Sequence, residues 1–272
     1  MTAIDLLEVP FLSDPQLSPD GTQLVYVLAE ADWEANKRVS HLWWVNVDNG
    51  QSTQLTYGGG EASPRWSPDG KWIAFVTSGG GDEVPQTSGP RASKARVEQV
   101  YLLSANGGER IQLTHHATSV SRITWSPDGT KLFFLAADDK TEEEKRKDEI
   151  QDDVFAYYED WKHRHLWAVG VGDDRKEKRV TSGDFTITGY SVSRDGLKIA
   201  HHRQPTPVRD DGLKSEVWVM NEDGSGATPI TQNNVPEQRA ELSPDNTKVL
   251  YLSDSNGTEY YYNKNLFTAS AE

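Results

Sequence analysis

Five copies of one short turn element organise this 272-residue chain. The element reads Leu17-Ser18-Pro19-Asp20-Gly21, then Trp66-Ser67-Pro68-Asp69-Gly70, then Trp125-Ser126-Pro127-Asp128-Gly129. A degraded copy stands at Val192-Ser193-Arg194-Asp195-Gly196 and a fifth at Leu242-Ser243-Pro244-Asp245-Asn246. From serine to serine the spacings are 49, 59, 67 and 50 residues. Proline presets φ for the first central position of a turn, aspartate bonds its own downstream backbone, and glycine adopts the left-handed conformation without steric cost. Asparagine tolerates that conformation well, so Asn246 keeps the fifth copy in the series.

Each turn precedes an alternating or apolar run: Gln23 to Leu28, Trp72 to Val76, Lys131 to Leu135, Lys198 to His202 and Lys248 to Leu252. These runs have the pattern of strands. A second strand signature recurs at Leu42-Trp43, Val100-Tyr101, Leu166-Trp167, Val217-Trp218 and Leu266-Phe267. A third closes four units, at Gln54-Leu55-Thr56, Gln112-Leu113-Thr114, Arg179-Val180-Thr181 and Pro229-Ile230-Thr231. With the short strand before each turn, every unit has four strands, which is the blade of a β-propeller. The expected fold is therefore all-β, one propeller domain over residues 1–272 with about five blades present. After Phe267 the fifth unit has no counterpart of the third signature. Either the segment Ile4 to Val9 pairs into that vacancy and closes a ring, or the chain is part of a longer one. Open sheet edges are a liability, which favours the incomplete propeller.

Nine Trp, ten Tyr and seven Phe supply buried area to a chain that is only 35% hydrophobic, a balance suited to many half-buried strands. The formal charge of −14 repels phosphate backbones and anionic lipid, so neither nucleic acid nor membrane is an expected partner. With no cysteine, no apolar run of spanning length and no signal-like N-terminus, a cytoplasmic location is expected.

Two units carry insertions between their second and third strands, at 78–98 and 138–164. The first is rich in Gly, Ser and Pro and has the composition of a loop. In the second, Thr141 and Glu144 form a capping-box pattern, and Glu142 with Arg146 and Glu143 with Lys147 are spaced as i,i+4 pairs. Carboxylates and aromatics then interleave from Asp152 to Trp161. Such a mixture suits a cationic amine, by charge and by cation–π contact. The alternative is a loop whose aromatics pack on the blade face.

No serine satisfies the G-x-S-x-G elbow of a hydrolase. The nearest segment, Gly189-Tyr190-Ser191-Val192-Ser193, lacks the second glycine, so no catalytic residue is assigned. Neighbours on a strand point to opposite faces, which argues against chelation by His115-His116 or His201-His202. His163 and His165 can share a face but lack an indicated third ligand, and His165 matches His41 within the repeat. No metal or other cofactor is expected.

The Trp-Ser-Pro-Asp-Gly turn with the Gln-Leu-Thr and Leu-Trp strands resembles the TolB-like propeller repeat. The run Ser13 to Gly21, the segment Trp33-Glu34-Ala35-Asn36-Lys37-Arg38 and the Lys-rich insertion before His165-Leu166-Trp167 resemble propellers of the prolyl oligopeptidase family, in its acylaminoacyl-peptidase and dipeptidyl-peptidase branch. The resemblance implies a propeller that precedes an α/β-hydrolase domain, covers its active site and admits short peptides. It implies seven or eight blades, more than are present, and a hydrolase partner whose sequence is not in this chain. In the dipeptidyl-peptidase branch, propeller glutamates hold the free amino terminus of the substrate. Tyr158-Glu159-Asp160-Trp161 is similar in character, without the doubled glutamate, and the resemblance implies Tyr158, Glu159 and Asp160 as candidate substrate-binding residues. The expected function is thus a non-catalytic propeller that gates and selects short peptides for a serine peptidase; the alternative is a stand-alone TolB-like module that binds protein or peptide.

Overall fold

The computed structural model describes residues 2–79, 97–150, 161–233, 235–254 and 264–271. Five antiparallel sheets follow one another along the chain. The first contains β1 (Phe11–Leu17), β2 (Gln23–Asp32), β3 (Lys37–Asn46) and β4 (Ser52–Gln54), hydrogen-bonded in that order. The second contains β5 (Ala62–Trp66), β6 (Trp72–Thr77), β7 (Gln99–Ser104) and β8 (Ile111–Gln112). The third is β9 (Val120–Trp125), β10 (Lys131–Ala137), β11 (Arg164–Gly170) and β12 (Glu177–Arg179). The fourth is β13 (Thr186–Val192), β14 (Lys198–Gln204), β15 (Glu216–Asn221) and β16 (Thr228–Pro229). The fifth has three strands, β17 (Glu237–Leu242), β18 (Lys248–Asp254) and β19 (Lys264–Ser270). The architecture is the all-β, propeller-blade arrangement expected from the repeat. The segment Ile4 to Val9 is not a strand. Residues Ala3–Glu8 form the short helix α1, because Thr2 Oγ1 accepts the Asp5 N–H (3.2 Å) and the Asp5 carboxylate accepts the Thr2 N–H (2.6 Å).

The repeated turn is a closed hydrogen-bond circuit. In each copy the serine hydroxyl donates to the aspartate carboxylate two residues on, over 2.6–2.7 Å. In four copies the same hydroxyl accepts the backbone N–H five residues on, at Gln23, Trp72, Lys198 and Lys248. The aspartate also accepts the N–H of Thr22, Lys71, Leu197 or Thr247, so one carboxylate ties the corner from both sides. Asn246 (φ 58°) takes the left-handed conformation that glycine takes elsewhere. Its amide donates to the Asp195 carboxylate over 2.7 Å. That contact stands where other copies stack glycine beside the preceding proline, as Gly196 does with Pro127. The fourth copy has Arg194 in place of that proline, so the two departures from the repeat compensate each other.

At the other side of each four-stranded blade a threonine does similar work. The hydroxyls of Thr56, Thr114, Thr181 and Thr231 accept the N–H groups of Leu42, Val100, Leu166 and Val217 over 2.8–3.0 Å. All four threonines are buried. A buried N–H without a partner is costly, so the Thr of each Gln-Leu-Thr-like signature completes the edge of the third strand.

The chain divides into two compact units. The first comprises Met1–Trp125, Gly129–Leu132 and Val169–Arg175. Its core packs Val25, Val27 and Leu42 against Ile73, Phe75 and Leu103, all essentially inaccessible. Trp66 Nε1 donates to the Gln16 carbonyl (3.1 Å) and Trp125 Nε1 to the Arg65 carbonyl (3.0 Å), so the turn tryptophans stitch one sheet to the preceding one. The second unit comprises Ser126–Asp128, Phe133–Ala168 and Lys176–Glu272. It buries Phe133, Leu135 and Leu166 against Ile187, Ile199 and Met220, and Val217 and Val219 against Ala240 and Val249.

Thr114→Val removes the acceptor of the buried Val100 N–H and is expected to destabilise the protein by about 1–3 kcal/mol, against about 0.5 kcal/mol or less for Thr53→Val at an exposed position. Urea unfolding of both variants checks this, and equal losses would contradict the assignment. Hydrogen bonds from Ser67 and Lys71 lower the Asp69 carboxyl to about 2, and those from Ser243 and Thr247 lower Asp245 to about 2. A depressed carboxyl pKa contributes stability that is full above its unfolded value and is lost as pH falls through the folded one. The urea midpoint should therefore drop between about pH 4 and 2, and less steeply in Asp69→Ala and Asp245→Ala.

Candidate functional site

Because a meander alternates its connections, the Ser-Asp turns lie at one end of each sheet and the links between second and third strands lie at the other. The variable links are therefore carried on blades whose opposite corners are fixed. The residues Tyr158, Glu159 and Asp160 lie outside the described residues, as does most of the 78–98 insertion. The base of the second insertion is described, and it is closed by the Asp138 N–H donating to the His163 carbonyl over 2.8 Å. From Thr141 the capping box forms as expected, with Thr141 N–H on Glu144 Oε2 (2.6 Å) and Glu144 N–H on Thr141 Oγ1 (3.3 Å), opening helix α2 (Glu142–Glu149). The expected i,i+4 pairs do not form among the described residues. Lys145 instead bridges Glu142 and Asp139 (3.1 Å each), and Glu144 pairs with Lys162 (2.5 Å), which ties the two ends of the insertion.

Below this base, the second unit gathers a cluster of histidine, arginine and aromatic side chains. His165 is fully buried at the start of β11, with Nδ1 3.3 Å from Thr181 Oγ1 and its ring edge-on to Phe185 at 5.3 Å. Asp138 lies 3.7 Å from His165 Nε2, beyond hydrogen-bond reach, and is neutralised by Arg179 at 3.0 Å. Burial, reinforced by the charge of Arg179, lowers the His165 pKa to about 4, so the ring is neutral at pH 7. His163 contacts Thr186 Oγ1 (3.0 Å) and the exposed carboxylate of Asp184 (2.8 Å). One strand pair further on, Arg203 of β14 has its guanidinium carbon 4.0 Å from the ring centre of Phe185 and 4.1 Å from that of Trp218. Its Nε donates to His201 Nε2 over 2.9 Å. His201 is fully buried and its pKa is lowered to about 3 by desolvation, which keeps it an acceptor.

The histidine pairs of the sequence divide as follows. His201 serves Arg203 on one face of β14, whereas His202 Nε2 accepts the Ala240 N–H (2.9 Å) on the other. His163 and His165 lie 6.2 Å apart but are engaged by different partners. His115 and His116 sit in the coil after β8 rather than on a strand. Among the described residues no group of three or more His, Cys, Asp or Glu is arranged to hold a metal ion.

His41, the repeat counterpart of His165, precedes the Thr56-clamped residue in the first unit. Its Nδ1 lies 3.2 Å from Glu61 Oε2, a fully buried carboxylate that also accepts the Gly58 N–H and faces Arg110 at 3.8 Å. Beside it a shallow pocket of about 380 Å³ is lined by Glu30, Asp32, Trp33, Glu34, Val39 and His41. Carboxylates around an exposed tryptophan are the chemistry expected of the 152–161 segment, here on the β2–β3 link. Sequence reading missed this pocket, whose residues cluster on the β2–β3 hairpin, and the Arg203 clamp, whose members are single residues from separate segments.

No known protein-family profile matches the chain. Over 235 residues it is 28% identical to an uncharacterized peptidase, YuxL, of Bacillus subtilis, covering 81% of this chain and 34% of the relative. It is 30% identical over 137 residues to dipeptidyl-peptidase 5 of Porphyromonas endodontalis, covering 50% of this chain and 18% of the relative. The chain thus spans about a third of the length of the first of these relatives and less of the second. Among solved structures it is similar to acylaminoacyl peptidase of Pyrococcus horikoshii (TM-score 0.63, 17% identity, 97% of this chain and 38% of that one). It is equally similar to an oligogalacturonate lyase in complex with manganese (TM-score 0.65, 17% identity, 96% and 65%). Identities this low establish the fold alone, and the two structures show one fold beside different chemistries. The sequence is thus similar to peptidases, and the fold is shared with TolB of Acinetobacter baumannii and with acylaminoacyl peptidase.

Because the buried His165 and His201 have lowered pKa values, the unfolded chain binds protons that the folded one refuses between about pH 6.5 and 4. Stability is expected to be full above pH 6.5 and to fall toward pH 4. In His165→Gln the urea midpoint should change less with pH over that window; an unaltered slope would show that His165 is not held neutral.

Proposed function

We propose that this TolB-like propeller gates and selects short peptides for a prolyl oligopeptidase-type catalytic domain, and contributes no nucleophile, base or oxyanion hole of its own. The observation that carries the reading is the 28% identity to a peptidase over 81% of this chain. The selective element is the second insertion, with Glu159 and Asp160 meeting the free amine of a peptide and Tyr158 contributing its ring face. Its anchorage at Asp138–His163 and Glu144–Lys162 supports a fixed approach to that segment. A cytoplasmic setting and a ring of seven or eight blades belong to the same reading.

The test has two parts. Fluorophosphonate probes are expected to leave the 272-residue chain unlabelled, and labelling of any serine would overturn the non-catalytic role. In calorimetric titrations, a free-amine tripeptide is expected to bind about tenfold or more tightly than its N-acetylated form, a difference that Glu159→Gln abolishes. Equal binding of the two forms would remove amine recognition from the insertion.

A further inference from the structure

We infer that Arg203, clamped between Phe185 and Trp218, is a carboxylate-binding residue that receives a ligand of acidic character at the head of β14 and β15. A half-buried arginine ordinarily has a carboxylate partner, because desolvating an unpaired charge is unfavourable. Arg203 has none among the described residues. Asp138 is taken by Arg179 (3.0 Å) and Asp184 by His163 (2.8 Å). Glu216, the cross-strand neighbour of Arg203 in register, turns its carboxyl to the Asn233 N–H (2.7 Å) instead. The charge is left desolvated, which alone lowers the Arg203 pKa to about 10.

The surroundings hold the guanidinium as a ligand site requires. Two rings each have their centre about 4 Å from the guanidinium carbon, where cation–π attraction holds the group in place. His201 engages Nε, and its lowered pKa keeps it from competing as a cation. Only the edge formed by the two Nη groups remains unengaged. That edge presents parallel N–H donors at the spacing of carboxylate oxygens, a geometry that lysine cannot supply. The nearby His165 is also neutral, and the guanidinium stands in a chain of net charge −14. Such a site selects an anion by short-range hydrogen bonding rather than by long-range steering.

The carboxylate can be a peptide C-terminus or an acidic side chain. The inference shares with the proposed peptidase role only the choice of peptide-like probes. Those probes carry no free amine, so the result does not depend on recognition by Glu159 and Asp160.

The experiment follows arginine Nε–H signals by two-dimensional NMR, with the Arg203 signal assigned through Arg203→Lys. The probes are N-acetylalanine, N-acetylalaninamide and the α-amide of N-acetylglutamate. A carboxylate probe is expected to shift the Arg203 signal saturably and to bind about tenfold or more tightly than the alaninamide. The tighter of the two acids identifies the source as a chain terminus or a side chain. Arg203→Lys is expected to lose about tenfold or more in affinity while circular dichroism is unchanged. Acid and amide titrating alike, no saturable shift up to about 10 mM, or wild-type affinity in Arg203→Lys would each overturn the inference. If the lysine variant does not fold, the acid–amide comparison on the wild-type chain still decides.

Discussion

A serine hydroxyl held between an aspartate carboxylate and a backbone N–H is the interaction on which the rest of this structure depends. The hydroxyl donates to Asp20, Asp69, Asp128, Asp195 or Asp245, and in four copies it accepts the N–H that begins the second strand. One side chain therefore fixes both the turn and the register of the strands it joins. A one-residue slip would send every apolar residue of the strand to the wrong face, so a locked corner protects a core made of thin strands. The buried threonines perform the same service beside the third strand, where Leu42, Val100, Leu166 and Val217 would otherwise leave N–H groups unpaired.

Fixing one end of each blade leaves the other end free to carry differences. The β2–β3 link forms a short acidic corner around Trp33, the link before β11 carries helix α2, and the link before β15 holds a single 3-10 turn, Arg209–Lys214. The polar cluster of the second unit is built from residues of β11, β13, β14 and β15 and of the coil next to them in sequence. Burial keeps His165 and His201 neutral, and aromatic rings lie against Arg179 and Arg203. The arrangement has the character of a recognition surface.

Much of the fold was legible because the blade signal is repeated: five turns with a mechanism, each followed by a β pattern, leave few alternatives. Asn246 was readable as a stand-in for glycine from conformation alone. Its bond to Asp195, which answers the loss of proline at Arg194, was not, since it joins residues of different repeats. The segment Ile4 to Val9 was open to a strand reading, and a capping box made it helical. On α2 the ion pairs formed at i,i+3, between Glu142 and Lys145, and with Asp139 and Lys162 outside the helix, rather than at the i,i+4 spacing. The recognition residues were the least legible. Arg203, Phe185 and Trp218 come from three segments whose nearness is created by packing, and no local pattern announces it. The acidic–aromatic run at 152–161 was conspicuous because its residues are contiguous.

The most direct test of the shared scaffold is native-state amide hydrogen exchange at two sets of N–H groups. The first set, Gln23, Trp72, Lys198 and Lys248, donates to the turn serines; the second, Leu42, Val100, Leu166 and Val217, donates to the buried threonines. If these bonds hold the blades together, the protons exchange only through large cooperative openings and respond to urea with the slope of global unfolding. Exchange through small local openings, insensitive to urea, would contradict the account and reduce the repeated turn to a surface ornament.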